Sequence, residues 1–461
     1  MKKRRLMKTI VIAAGLVMTG SLWGCGTKDS VVEEEKAKVS DTGKVLNIHT
    51  SGNELLERMI QLYPDYEDLG SGEGMIGDVK VNWIITPNDD NAYQIKMDEF
   101  LSENDNTTDD NRIDIFTVEA DYAKKYIQTG GLLSMEEVGL TDKDMGDQYA
   151  YTQEMVKGED GKIYGSSWQA TPGFFIYRRS IAKEVFGTDD PNEVQNYLST
   201  WDKMDEAAAM LKEKGYPMFA AYNDTFYPFN ANKNIPWVND ELQIQIDDSM
   251  YEWVEQTKEY TDKGYNDKKK EMADIVMDIC KEGKVFGAFA APWYVSYIQV
   301  SCLDNTEAAW ELGNGSYADW AACSGPESFY WGGTWLCVPE HCDNVSLVKD
   351  IIYKLTCDDE TMTRLVNENG EFVNNSNVMK ATAESDYQCG FLGGQNHIGL
   401  LIDSAEKIDM SNITVYDQGI CDAFKNAMWE YFEGRKNTVE DAVQLFYEDA
   451  IVKYPELEKP E

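Results

Sequence analysis

The chain has 461 residues and carries 42 Lys plus Arg against 82 Asp plus Glu, a formal net charge of −40. Phosphate backbones and anionic headgroups are held by clustered Lys and Arg, so this balance excludes nucleic acid and acidic lipid as the main ligand. A neutral or cationic solute suits it better, and three histidines (His49, His341, His397) speak against a His-based zinc site.

Met1-Lys2-Lys3-Arg4-Arg5 is a basic start, and Thr9 to Gly24 is apolar with small residues towards its end. This is the pattern of a secretory signal, too short for a membrane span of roughly 20 residues. Leu22-Trp23-Gly24-Cys25 closes it and resembles a bacterial lipobox. The resemblance implies that residues 1–24 are removed and that the Cys25 thiol is diacylated, holding the body at the outer face of the cytoplasmic membrane. An uncleaved anchor or a plain cleaved signal is the alternative. Removing the leader takes away Lys2, Lys3, Arg4, Arg5 and Lys8 and no acid, leaving 37 basic against 82 acidic residues, a net of −45. Residues 25–44 are polar and free of aromatics, which predicts a flexible tether.

Val45-Leu46-Asn47-Ile48 reads as a strand, and Glu54 to Tyr63 as a helix with Leu55, Met59 and Leu62 on one face. Strands at 79–85 and 112–118 flank a helix at 91–101. Strands alternating with helices at this spacing predict mostly parallel sheets covered by helices. A helix over 200–215 is opened by Thr200 as N-cap and Asp202 in the first turn. Further helices are expected at 250–263, 274–281, 346–356, 360–369, 419–432 and 438–451. A body of this length exceeds one ordinary core and suggests two lobes.

Besides Cys25 there are eight cysteines, all between Cys280 and Cys421. An even number in an exported chain permits disulfides, buried free thiols fit equally, and spacing does not give connectivity. The 12 Trp and 26 Tyr exceed what cores need and can line a polar, stackable site.

Five stretches in order carry a family resemblance. They are Asp114-Ile115-Phe116, then Asp160-Gly161-Lys162-Ile163-Tyr164-Gly165 running on to Tyr177, Phe186-Gly187 and Trp201-Asp202. Next come Gly283-Lys284-Val285-Phe286-Gly287-Ala288 with Pro292-Trp293, Gly332-Gly333-Thr334-Trp335, and Gly434-Arg435-Lys436-Asn437-Thr438. Together they resemble the extracellular solute-binding proteins of carbohydrate ABC transporters, of the maltose-binding type, across about residues 45 to 450. Ser166-Ser167-Trp168 and Ala290-Ala291-Pro292-Trp293 depart from that pattern in its binding region, which leaves the ligand open. The resemblance implies an α/β, two-lobed periplasmic-binding-protein-like fold of type II with a hinge. It maps lobe 1 to 45–165 plus 301–370 and lobe 2 to 166–300 plus 371–461. It also implies a monomer that takes solute into the interlobe cleft and delivers it to permease subunits, without cofactor or metal.

A sugar site needs flat aromatic surfaces for C–H faces and carboxylate or amide acceptors for hydroxyls. Loops expected at strand ends offer Asn53, Glu119 and Asp121, then Trp168 and Gln169 beyond the Tyr164-Gly165 turn. Tyr222 and Asp224 follow a strand at 218–220, and Trp293, Tyr294, Trp331 and Gly333 complete the set. Each has a plainer reading. Asn53 can be a helix cap, Glu119 and Asp121 first-turn acids, and Gly333 a turn glycine. Tyr177, Trp201 and Trp335 are read as packing.

The expected function is non-enzymatic capture of a mono- or oligosaccharide. The same fold binding a polyamine or peptide is the alternative. A surface glycoside hydrolase would need two carboxylates about 5–9.5 Å apart across one bond, and no segment resembles such a signature.

Overall fold

A computed structural model describes residues 39–104 and 109–460. The leader, Cys25 and most of the tether lie outside the described residues. No helix among those described is long and apolar enough to cross a membrane.

Among the described residues twelve strands form three sheets: β1 (Val45–Thr50), β2 (Tyr66–Gly70), β3 (Glu73–Ile76), β4 (Val79–Ile85), β5 (Ile115–Glu119), β6 (Leu132–Leu133), β7 (Phe174–Arg178), β8 (Phe219–Ala221), β9 (Asn266–Lys269), β10 (Gly287–Ala290), β11 (Trp320–Cys323) and β12 (Thr334–Pro339). The large sheet runs β2-β3-β4-β1-β5-β12-β6, a second runs β10-β7-β11, and β8 pairs with β9.

The expectation of mostly parallel sheets holds at the centre of the large sheet, where β1 lies parallel to β4 and β5. It fails at the margins. β2, β3 and β4 form an antiparallel meander, and β12 returns antiparallel to β5 and β6. Short connections explain the meander, because a parallel neighbour needs a crossover of a dozen residues or more. β7 pairs antiparallel with both β10 and β11. β11, within 301–370, pairs with β7, within 166–300, so this sheet joins two segments that the sequence mapping above assigns to different lobes.

The predicted face of the first helix is the buried one: Leu55, Met59 and Leu62 of Glu54–Leu62 pack inward. Thr200 caps the helix Trp201–Glu213, its hydroxyl accepting the Lys203 N–H, an interaction of about 1 kcal/mol. The largest core spans the seven-stranded sheet and one face of β7 and β10, while a second, rich in Phe, covers their other face. A third gathers Trp237, Trp253, Phe424, Phe446 and their neighbours between the helices Asp248–Lys263, Asp417–Phe432 and Val439–Lys453. Tyr177 and Trp201 pack as expected, the first fully buried and the second stacked on Phe229 at 4.2 Å.

Candidate functional site

The C-terminal end of β5 faces the second and third cores across a cleft. Open α/β sheets present their ligand loops at such strand ends. Glu119 closes β5 and accepts a hydrogen bond from the Ser51 hydroxyl at 2.9 Å, which ties the loop after β1 to the loop after β5. Asp121 lies two residues on, at the mouth of a cavity of about 50 Å³. Opposite it stand Phe226, Tyr227 and Asn230 of the helix Phe226–Ala231, Tyr330, and Asp417, Cys421, Asp422 and Lys425 of the helix Asp417–Phe432. Small-molecule sites usually measure ~300–1,000 Å³, so the two walls stand nearly closed on one another.

An aromatic wall continues from this cavity. Tyr227 stacks on Trp331, with ring centroids 4.7 Å apart and planes at 27°. Trp331 meets Trp293 edge to face at 4.7 Å and Tyr294 at 5.2 Å. Two glycines allow this approach. Gly332 and Gly333 have φ of +80° and +112°, and a Cβ on Gly332 would stand 3.0 Å from the Trp293 indole nitrogen. The carbonyl of Gly333 accepts the Ala120 N–H at 3.1 Å, so the turn bearing Trp331 is fastened to the residue before Asp121.

Charge in the cleft is uneven. Asp121 is solvent-reached but crowded. Burial raises its carboxyl, Lys425 opposes this, and Asp422 and Asp417 raise it further. Asp417 is also raised, first by burial, while Lys233 at 3.7 Å and the Thr414 hydroxyl at 2.7 Å hold it partly down. Lys425 ion-pairs with Asp422 at 3.2 Å. Its ammonium is held above its ordinary range by Tyr227 and the carboxylates, which outweigh desolvation. Asp224 sits half-buried beyond the end of β8 and interacts electrostatically with Tyr294. Burial pushes it up to about 7, although the Ala221 N–H donates to it at 2.7 Å.

Of the residues singled out from sequence, Glu119, Asp121, Asp224, Trp293, Trp331 and Gly333 come together along this wall, while Tyr294, 2% exposed, packs behind Trp331 in the main core and offers no open ring face. Gln169 lies beneath it, 8% exposed, its amide 3.4 Å from the Thr334 hydroxyl. Asn53 is exposed at the start of the first helix, where its side chain makes no cap hydrogen bond. Two residues fall elsewhere. Tyr222 is 4% exposed and stacks on Phe432 in the third core. Trp168 is 1% exposed in the main core and offers no open ring face. The serines before Trp168 look polar in sequence but are themselves buried. Ser166 pairs with the Thr356 hydroxyl at 2.7 Å, and Ser167 donates to the Gln169 carbonyl at 2.8 Å.

Sequence reasoning missed Tyr227, Tyr330, Asp417, Asp422 and Lys425. The first lies three residues beyond Asp224, the last residue taken after β8. The acids and Lys425 share the helix Asp417–Phe432, whose polar face looks like any solvated surface. Among the described residues no group of three or more His, Cys, Asp or Glu is placed to hold a metal ion.

The profile of the family described as bacterial extracellular solute-binding protein matches residues 73–386. No curated protein matches the chain. Several solved structures share the two-lobed α/β fold. One, an extracellular solute-binding protein of family 1, superposes with a TM-score of 0.68 at 15% identity, covering 88% of this chain and 99% of its own. The ABC-transporter-associated binding protein of B. animalis subsp. lactis Bl-04, solved with β-1,6-galactobiose, gives 0.64 at 15% identity over 91% and 100%. MalX of Streptococcus pneumoniae, solved with maltopentaose, gives 0.59 at 16% identity over 87% and 99%.

Proposed function

The chain belongs to the bacterial extracellular solute-binding proteins, and from that premise we propose that it is the capture component of an ABC importer. It takes a mono- or oligosaccharide into the cleft between its lobes and delivers it to membrane permease subunits. A diacyl group on Cys25 holds it, as a monomer, at the outer face of the cytoplasmic membrane of a single-membrane bacterium.

The observation that carries the reading is the joined wall of Tyr227, Trp331 and Trp293 beside Asp121 and Asp224. Flat rings suit the C–H faces of a pyranose, and flanking carboxylates accept its hydroxyl pairs. A ligand lacking those hydroxyls would leave the acceptors buried and unpaired, which is how such a site discriminates. The sugars bound by the galactobiose- and maltopentaose-binding relatives support the same class of ligand.

The lobe division follows the sheets. Residues 45–165 with β12 and the helix Val345–Thr356 form the first lobe. On this reading the second holds 166–300 and 371–461, and the pairing of β11 with β7 supports drawing β11 into it as well. Opening proceeds about the crossings between the lobes as a hinge.

One observation favours a second ligand class: Asp121, Asp417 and Asp422 line one small cavity, with Lys425 facing the first and last and Lys233 paired to Asp417. A cationic solute such as a polyamine would compete with these ammonium groups for them. A thermal-shift screen across neutral sugars, polyamines and short peptides decides the matter, because a tight ligand raises the melting temperature by mass action. Neutral sugars are expected to score, stabilisation by polyamines alone would move the reading to the second class, and release of smaller sugars from an oligosaccharide would make the protein a hydrolase.

A further inference from the structure

Two cysteines distant in sequence meet in the main core. Cys280 lies in the π-helical turn Asp278–Glu282, and Cys302 follows the helix Pro292–Gln299. Their sulfurs stand 2.6 Å apart, and the residues are 4% and 0% exposed. The backbone fixes both. The Cys302 N–H donates to the Ile298 carbonyl at 3.1 Å, and the Cys302 carbonyl accepts the Ser316 N–H at 2.8 Å. The Ser316 hydroxyl donates to the Cys280 carbonyl at 3.2 Å. One loop thus clamps the two cysteine backbones from the same side, and Gly315, with φ of +63°, lets it lie against Cys302 where a Cβ would overlap the carbonyl.

We propose that Cys280 and Cys302 form a disulfide in the exported protein. The alternative use of two converging thiols is a metal, but zinc takes three or four protein ligands and no third is placed here among the described residues. Extracellular proteins meet an oxidising compartment, where such bonds persist.

The chemistry balances with an exchange partner, a protein disulfide of the export compartment. Either thiol can act first with the same balance; when Cys302 does, it attacks as its thiolate. Its thiolate displaces one sulfur of the partner's disulfide to give a mixed disulfide. Cys280 then loses its proton and attacks Cys302 Sγ, expelling the partner's second sulfur. The two thiols give up two protons and two electrons, and the partner leaves as a dithiol. With both sulfurs buried, the exchange takes place during folding, before the core closes over them.

The bond closes a loop that contains β10 and the residues Pro292, Trp293 and Tyr294, so it staples the segment that carries Trp293 to the cleft and Tyr294 behind it. Peptide mapping tests this. Full-length protein secreted through an oxidising compartment is denatured in excess alkylating reagent without reductant and digested. The expected result is one linked pair of peptides containing Cys280 and Cys302, two hydrogens lighter than the separate thiols, with Cys323, Cys337 and Cys342 alkylated. Quantitative alkylation of Cys280 and Cys302, or linkage of either to a third cysteine, overturns the proposal. Reductant should also lower the melting temperature of the wild type and leave that of a C280S/C302S variant unmoved; an equal drop in both overturns it as well.

Discussion

The indole N–H of Trp293 donates to the main-chain carbonyl of Trp331 at 2.8 Å, while the two rings meet edge to face. The helix after β10 and the segment before β12 are thereby locked in one orientation, and Tyr227 is stacked on Trp331. A ligand ring placed on this wall finds a surface that loses little freedom on binding. Trp331→Ala is therefore expected to weaken binding of the sugar found in the screen by roughly tenfold or more, ~1.4 kcal/mol, with Trp293→Ala similar. Calorimetric titration against unchanged far-UV circular dichroism checks this, and wild-type affinity in both variants would place the ligand elsewhere.

Trp168 should behave in the opposite way. Its indole is enclosed by the main core, so Trp168→Ala leaves a large cavity and costs about 3–5 kcal/mol of stability. Denaturant unfolding should show that loss, while affinity measured well below the new midpoint changes little. A stable variant with impaired binding would show that Trp168 reaches the ligand after all.

Asp224 makes stability depend on pH in an uncommon direction for an acid. Its folded pKa is raised from the ordinary 3.8 to about 7 by burial. Between those values the folded state keeps a proton that the unfolded state has released. The resulting contribution is fully present below about pH 4 and is lost as pH rises through about 7. Asp224→Asn removes the group, so its melting temperature should gain on the wild type between pH 5 and pH 8. Scanning calorimetry at several pH values reads this directly, and a constant offset would mean that Asp224 titrates normally.

Binding of a neutral sugar should be nearly indifferent to salt. Between about 0.01 and 1 M the screening length falls from ~30 to ~3 Å, which would weaken capture of a cation by Asp121, Asp417 and Asp422. Titrations across that range separate the two ligand classes, and a steep loss of affinity would favour the cation.

Cys25→Ser should release the protein from cells. Detergent phase partitioning is expected to place the wild type in the detergent phase and the variant in the aqueous phase, and identical partitioning would remove the lipid from the account.

Local signals carried far in the sequence wherever one physical cause decided the outcome. The Leu55, Met59 and Leu62 stripe and the Thr200 cap are short-range effects, and both stand in the structure. Trp335, read from sequence as packing, is 2% exposed with its indole bonded to the Thr152 carbonyl. The β2–β3 hairpin was invisible because Asp, Glu and Gly dominate it and its pattern of burial is weak. Trp168 misled because polar neighbours suggest solvent, whereas Ser166 and Ser167 find their partners inside the core, in the Thr356 hydroxyl and the Gln169 carbonyl. Tyr227, Tyr330 and Lys425 reach the cleft from three separated segments, and no periodicity within one segment reports a meeting of that kind.

The narrowness of the cavity beside Asp121 turns affinity into a question of populations. At about 50 Å³ the described arrangement cannot admit a sugar, so entry belongs to whatever fraction of molecules stands open. The apparent dissociation constant is the intrinsic one divided by that fraction. Contacts that hold the walls together without ligand, such as the attraction of Lys425 for Asp121, therefore weaken capture even though no ligand atom touches them. Removing one could tighten binding, and the cleft's own internal cohesion would then set how dilute a solute the protein can gather.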